Sequence, residues 1–250
     1  MYPGRTDRSL QSTLNWALER MKEKGYVIRS RVSLAVDPNL SIMGYAKKEG
    51  EAQKIVISEW ALDSEMLGGL VLHELAHIYF TESGSPSHDT AILEEALEEF
   101  RKREGLRERE AAQLVDAFNH LQNIIVDDIV FDVMQEKERE MAKKFFAEWV
   151  SARPSGDPVL DASLLCRNAF AIASLRRRGL FDEDSEMASM NRNFLSVMGR
   201  HAVDEFEWLV NFLEKGSADC SEEEFRRMLV ELFDRMLSLM RSSAVLRDLR

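Results

Sequence analysis

Three residues with chemically active side chains stand close together in the sequence, His73, Glu74 and His77. Two histidines four residues apart project from one face of a helix and can hold one metal ion. Neutral imidazoles suit Zn²⁺, and a catalytic zinc site adds one more protein ligand and keeps a position for water. Glu74 directly follows the first histidine, so its carboxylate could take a proton from that water and return it to a leaving group. The pattern predicts a zinc-dependent hydrolase with Glu74 as general base.

The residues around this motif are apolar. Between Leu70 and Tyr79, Glu74 is the one acidic residue, and there is no lysine, arginine or proline. Chance alone would produce the bare motif about once in a hundred such chains. Burying two histidines and a carboxylate on an apolar helix would be costly without a ligand. A metal site is therefore favoured over two histidines that are merely satisfied by hydrogen bonds.

A small sheet and a long helical region must position these residues. Residues 6–24 show apolar spacing typical of a helix, and three β-branched runs at 26–36, 40–46 and 54–58 predict a small antiparallel sheet. From Asp63 onward the pattern is helical. The predicted helices are 63–80, 92–104, 108–150 with a break near Gln135, 159–177, 184–214 and 222–247. The expected fold class is α+β and mainly α.

Charge and composition narrow the possible partners. The chain has 44 acidic and 33 basic residues, a formal net charge of -11, which disfavours nucleic acid as a partner. Its two cysteines, and the lack of a signal-like or membrane-length apolar stretch, favour a cytoplasmic protein with no membrane partner. The breaker Pro154–Pro158 suggests a metallopeptidase domain at 1–152 and a helical region at 153–250, which could belong to the same domain.

With its motif helix directly after a small sheet, the chain resembles the zincin superfamily of metallopeptidases, which carry the HEXXH motif. The resemblance implies a zinc cofactor and a peptide or protein substrate. In zincins an extended substrate binds at the edge of the sheet. The segments expected to line a cleft here are therefore Ile42–Ala46 or Lys54–Ser58.

Asp127 is the first candidate for the third metal ligand. His120, Asn123 and Asp127 fall on one stripe of an otherwise apolar helix, and a buried polar stripe needs a partner. The segment Asn123–Asp127 is also similar to an Asn-Ile-x-x-Asp helix of predicted metallopeptidases. That resemblance implies metal binding by Asp127. His120 and Asn123, on the same stripe, are expected to be neighbours of the ligands or contacts to substrate.

Glu95 is the alternative third ligand. Residues 92–100 are similar to a segment of gluzincin aminopeptidases in which a glutamate on the next helix completes the site. The spacing departs by one residue, and Ala96 replaces a glycine. The cluster of glutamates around Glu95 also suits the solvated face of an amphipathic helix. His120 or Asp128 is a third, less favoured option.

Other histidines and the C-terminal helices are open to more than one interpretation. His88 lies in a Ser- and Gly-containing loop and is expected to be exposed, with a substrate contact as the alternative. His201 is expected at the surface, with oxyanion stabilisation as the alternative. Residues 159–250 show helical periodicity without chemistry, so they could form a lid, a homo-oligomer surface or core. The second hypothesis for the whole chain is an inactive zincin-like scaffold with a structural zinc and a helical partner-binding surface.

Overall fold

The computed structural model describes the backbone of residues 4–245 and the side chains of residues 9–241. Its helices are α1 Gly4–Glu23, α2 Leu67–Ser83, α3 Thr90–Glu104, α4 Glu108–Val133, α5 Glu136–Trp149, α6 Pro158–Arg176, α7 Glu186–Met198, α8 Arg200–Glu214 and α9 Glu222–Val245. The strands are β1 Val32–Asp37, β2 Gly44–Glu49 and β3 Ala52–Ser58, and short 3-10 turns span Glu59–Asp63 and Pro86–His88. The predicted mainly helical α+β fold is confirmed.

The sheet is mixed, and here the sequence-based prediction of an antiparallel sheet is wrong. The strand order is β1-β3-β2, with β1 parallel to β3 and β2 antiparallel to it. Strands β2 and β3 form a hairpin, and β1 pairs with β3 on the side opposite to β2. Strand β2 is therefore an edge strand. Of the two segments expected to line a cleft, Ile42–Ala46 reaches this edge and Lys54–Ser58 lies in the central strand.

Packing divides the chain into two compact units, and the domain boundary near residue 153 stays a prediction. Unit one contains the chain up to His88 together with Val126–Ala142, and unit two contains Asp89–Ile125 and the chain from Lys143 onward. Helices α4 and α5 each contribute residues to both units. All residues of the histidine motif, and Asp127, belong to unit one.

Helix α2 is the buried centre of unit one. Side chains on all sides of this helix are buried, and it packs against α1 and the sheet. Gly68 permits the close approach of α1, because a Cβ there would lie 3.0 Å from a ring carbon of Trp16. At its end, Glu82 accepts hydrogen bonds from the backbone N–H groups of Arg29 and Ser30, which ties the segment before β1 to the helix.

Unit two is a helical assembly around α6, which packs against α8 and α9. By length and composition α6 could cross a membrane, but 72% of its apolar window is buried inside the protein, as in a core helix. The predicted helix 184–214 is two helices, because Gly199 interrupts it with φ +91°. The predicted break near Gln135 is confirmed. The predicted helix end at residue 247 lies outside the described residues.

Candidate metal centre

The two motif histidines turn their rings towards each other on one face of α2. Nε2 of His73 and Nε2 of His77 are 3.2 Å apart, and the ring planes are inclined by 76°. Zinc–nitrogen bonds of about 2.0–2.1 Å at a tetrahedral angle separate two nitrogens by roughly 3.4 Å. The spacing of the two nitrogens therefore fits two ligands of one zinc ion.

Asp127, on α4, contacts the other nitrogen of His73. Its Oδ1 lies 3.2 Å from Nδ1 of His73, and the aspartate side chain is buried. Because a carboxylate accepts hydrogen bonds, this contact places the His73 proton on Nδ1 and leaves the lone pair on Nε2. The helix thus brings Asp127 to the site, as the sequence predicted, but to the nitrogen that does not face His77. Its role as third metal ligand stays a prediction.

His77 has a second imidazole as its neighbour. Nδ1 of His77 and Nε2 of His88 are 2.9 Å apart, and Nδ1 of His88 lies 2.9 Å from Oγ of Ser87. The His88 ring also stacks on Phe80 of α2 at 5.2 Å between ring centroids. Burial, together with the nearby charge of His73, lowers the pKa of His88 to about 3. His88 is therefore a neutral, packed histidine and not the exposed loop residue that the sequence predicted.

Glu74 is a buried carboxylate beside the two histidines. Glu74 is only 5% exposed to solvent. Burial raises its pKa, and this effect outweighs the opposing influences of His73 and of a hydrogen bond from the Ala46 backbone amide. Ala46 lies on the edge strand β2. Because Met43 accepts a bond from the Ser58 amide and alternate residues face the partner strand, the Ala46 amide points away from β3 and towards Glu74.

His120 lies in unit two, in an aromatic cluster. Its ring stacks on Phe170 at 4.9 Å between centroids, with Trp149 close by. Burial, aided by the charge of Arg167, lowers the pKa of His120 to about 4, and its Nδ1 has no hydrogen-bond partner among the described residues. Asn123 is partly buried on the same stretch of α4, also in unit two. The stripe predicted from sequence is thus divided between the two units, because Asp127 belongs to unit one.

The remaining candidates have partners of their own at the surface. Glu95 of α3 is exposed, and its carboxylate accepts a 2.6 Å hydrogen bond from Arg226 of α9. His201 is also exposed, with Nδ1 3.8 Å from a carboxylate oxygen of Glu205 on the same helix. Asp128 is partly exposed on α4. The surface position predicted for His201 is confirmed.

Two imidazoles of this centre fit zinc, and none of the described side chains is brought to them as a third ligand. Among residues 9–241, no group of three or more His, Cys, Asp or Glu side chains is arranged to hold a metal ion. Sequence reasoning gave His88 only as an alternative substrate contact and Ala46 only as part of a segment that could line a cleft. It predicted neither the contact of His88 with His77 nor that of the Ala46 amide with Glu74. A histidine eleven residues after His77 was a visible but weak signal, and the Ala46 amide left none, because any residue other than proline carries one.

One family comparison matches most of the chain. Residues 19–237 match the model described as Family of unknown function (DUF5781). The match includes α2, His88 and Asp127, and so the whole centre. No curated protein and no solved structure is significantly similar to the chain.

Proposed function

The chain belongs to the DUF5781 family of unknown function, and from its own residues we propose that it is a zinc-dependent hydrolase that cleaves peptides. The observation that carries this proposal is the 3.2 Å approach of the His73 and His77 Nε2 atoms, with Glu74 beside them on one buried helix. The resemblance of the motif to that of zincins supports the choice of peptides as substrates.

His73 and His77 would hold the ion through Nε2. Metal-binding histidines commonly donate their other ring N–H to a carboxylate or another acceptor, which fixes the ring and its tautomer. Asp127 stands in that position for His73. We therefore assign Asp127 the task of orienting His73, in place of the direct ligand role expected from sequence.

Glu74 would act as general base. A zinc ion at the two histidines would lower the pKa of a water molecule and polarise a substrate carbonyl. Glu74 would accept a proton from the attacking water and return it to the leaving amine. Its raised pKa suits this exchange, since a base with a pKa nearer the working pH both accepts and returns a proton readily. The Ala46 amide would keep the carboxylate oriented between these transfers.

The outer edge of β2 offers a binding place for an extended peptide. Residues Gly44, Ala46 and Lys48 direct backbone groups away from β3, as an edge strand does. A peptide could add to this edge by main-chain hydrogen bonds with Gly44, Lys48 and the Ala46 carbonyl, while the Ala46 N–H stays with Glu74. Because the Ala46 amide also contacts Glu74, this edge lies beside the proposed base.

The second candidate is the inactive scaffold with a structural zinc. The observation that favours an inactive protein is the lack of a third ligand at the two histidines among the described side chains, because a catalytic zinc has three protein ligands. A closed structural site has four, so the remaining ligands of a structural zinc would come from a partner. In that case zinc would stabilise the fold, and Glu74 would have no chemical task.

Zinc content and peptide hydrolysis, measured together, test both candidates. We expect metal-free protein to take up one zinc per chain, and His73→Ala to lose it. We expect the zinc-loaded protein to cleave members of a mixed peptide library, and Glu74→Gln to bind zinc without cleaving. His201→Ala, which alters an exposed histidine of unit two, is the matched control for both measurements. Stoichiometric zinc, a raised melting temperature and no cleavage would favour the scaffold, and absence of zinc binding would contradict both.

A further inference from the structure

We propose that His88 is a positioning residue that fixes the tautomer and ring orientation of His77, so that His77 turns a lone pair on Nε2 towards His73. The proposal rests on the zinc site proposed above. It is carried by the 2.9 Å contact between Nδ1 of His77 and Nε2 of His88 and by the packing that holds His88 in place.

The proton count of the histidines explains why His88 matters. A neutral imidazole carries one N–H, so one nitrogen donates and the other accepts. If His88 donates from Nε2, His77 must carry its own proton on Nε2, where it faces His73. If His77 donates from Nδ1 instead, its Nε2 keeps a lone pair. Since Asp127 already places the His73 proton on Nδ1, only the second arrangement turns two lone pairs towards one cation.

The surroundings of His88 can satisfy this second arrangement, which is the one that a cation at the two Nε2 atoms requires. With its Nε2 accepting from His77, His88 carries its proton on Nδ1 and donates it to Oγ of Ser87, 2.9 Å away. Ser87 is fully buried, and its Oγ lies 2.9 Å from Oγ of Ser85, so the hydroxyl proton of Ser87 has an acceptor as well. Each group from His77 to Ser85 can then donate to the next one along.

The ring of His88 is also held mechanically. It stacks on Phe80, which lies on the same helix as His77, so that the ring is anchored to the element whose side chain it orients. The turn Pro86–His88 brings the ring back to α2 soon after the helix ends at Ser83. The two motif histidines are thus oriented by different groups, His73 by a carboxylate and His77 by a neutral imidazole.

Zinc affinity and imidazole tautomers, measured in three variants, test the proposal. We expect His88→Ala to weaken zinc binding by about 10–100-fold in a chelator competition, the range found when such outer partners are removed. His88→Gln should bind zinc within a few-fold of wild type, because its amide oxygen can accept from Nδ1 of His77. His201→Ala should match wild type. In metal-free protein, ¹⁵N NMR should show one dominant tautomer of His77 in wild type and a mixture in His88→Ala.

The same variants show whether His88 is instead a metal ligand. The visible spectrum of Co²⁺-loaded His88→Ala should keep the band shape and intensity of wild type if His88 only orients His77. A changed coordination spectrum, or a His88→Gln variant as weak as His88→Ala, would overturn the positioning role. Wild-type affinity and an unchanged His77 tautomer in His88→Ala would do so too.

Failure of the zinc site itself gives a different result. If wild-type protein binds no zinc, the proposed function fails, and His88 is judged by NMR of the metal-free protein alone. A His77 tautomer that changes in His88→Ala then supports the orienting contact, and an unchanged one overturns it.

Discussion

Two buried glutamates, one in each unit, show opposite ways of burying a carboxylate. Glu110, on α4 in unit two, is 0% exposed and accepts hydrogen bonds from Arg107 at 2.7 Å and Arg241 at 3.2 Å. Burial alone would raise its pKa, but these guanidinium groups lower the pKa of Glu110 to about 2. Glu74 in unit one is 5% exposed, its neighbours are an imidazole and one backbone amide, and burial raises its pKa.

The difference separates a structural carboxylate from one that can exchange protons. Glu110 is held as an anion by two cations, and the Arg107 amide also donates to it, as in a capping box. Glu74 has weaker partners, which do not offset the cost of burying a charge. Its protonated, neutral form is therefore more favoured than that of a glutamate in water. A protein that needed Glu74 only for stability would gain from an apolar residue there.

The rate of peptide cleavage should change more than any other property, and it should fall on substitution of Glu74 but not of Glu110. We expect Glu74→Gln to lower the rate of peptide cleavage by about 10²–10⁴-fold, the usual contribution of a general base. Its stability should stay equal to wild type or rise, because a neutral amide replaces a poorly solvated carboxyl. Glu110→Gln should keep the cleavage rate under conditions in which it is folded. Equal loss of activity in both variants, measured by initial rates at equal zinc content, would contradict the distinction between a catalytic Glu74 and a structural Glu110.

The second prediction concerns stability and its dependence on pH. We expect Glu110→Gln to lower the free energy of unfolding by about 2 kcal/mol, since it removes charge-assisted hydrogen bonds. Arg107 is largely exposed, and solvent screening keeps the loss below the value that the full pKa shift would give. The pKa of Glu110 is lowered on folding, so its contribution is present above about pH 4.5 and is lost as the pH falls towards 2.

Urea unfolding at several pH values measures this loss. The gap between wild type and Glu110→Gln should shrink from pH 5 to pH 2. For Glu74 the sign is reversed, because its pKa is raised on folding. Ionising the buried carboxyl costs stability as the pH rises above about 4.5. The free energy of unfolding of wild type should therefore fall relative to that of Glu74→Gln as the pH rises. Parallel pH profiles for the two variants would contradict the distinction between them.

His120 tests whether the pKa of a buried group depends on its hydrogen-bond partners and not on the unit that contains it. It belongs to unit two, as Glu110 does, but it stacks on Phe170, and no described residue forms a hydrogen bond with its Nδ1. Its pKa of about 4 means that the folded protein excludes the proton that the unfolded chain binds below about pH 6.5. We expect His120→Phe to keep the ring packing and to be more stable than wild type at pH 4 by on the order of 2 kcal/mol, with a smaller difference at pH 7. A pH-independent difference in urea unfolding would show that His120 is not excluded from protonation.

The smallest effect is expected at the exposed pair of Glu95 and Arg226. Exposed ion pairs contribute about 0–1 kcal/mol, so Glu95→Ala should change the free energy of unfolding by no more than about 0.5 kcal/mol. Zinc affinity should stay unchanged, in contrast to Asp127→Ala, which removes the acceptor for Nδ1 of His73 and which we expect to weaken zinc binding about 10–100-fold. Loss of zinc in Glu95→Ala, measured by chelator competition, would restore Glu95 as the third ligand.

Local pattern predicted much of the secondary structure and the centre of the site. The apolar spacing of α1 and α2, the break near Gln135 and the shared helix face of His73 and His77 are all set within a few residues, where helical geometry alone applies. The interruption at Gly199 was missed because the apolar pattern continues across it, while the backbone there adopts a positive φ. The parallel pairing of β1 with β3 was missed because strand order depends on contacts between distant segments.

The placement of two histidines and a glutamate on one buried helix could be predicted from sequence, because their spacing and apolar neighbours belong to that segment alone. The groups that surround them depend on the tertiary fold. Asp127 meets Nδ1 of His73, His88 returns to Nδ1 of His77, and the Ala46 amide reaches Glu74. These contacts join segments far apart in the chain or depend on the exact path of a turn, and no local periodicity encodes either.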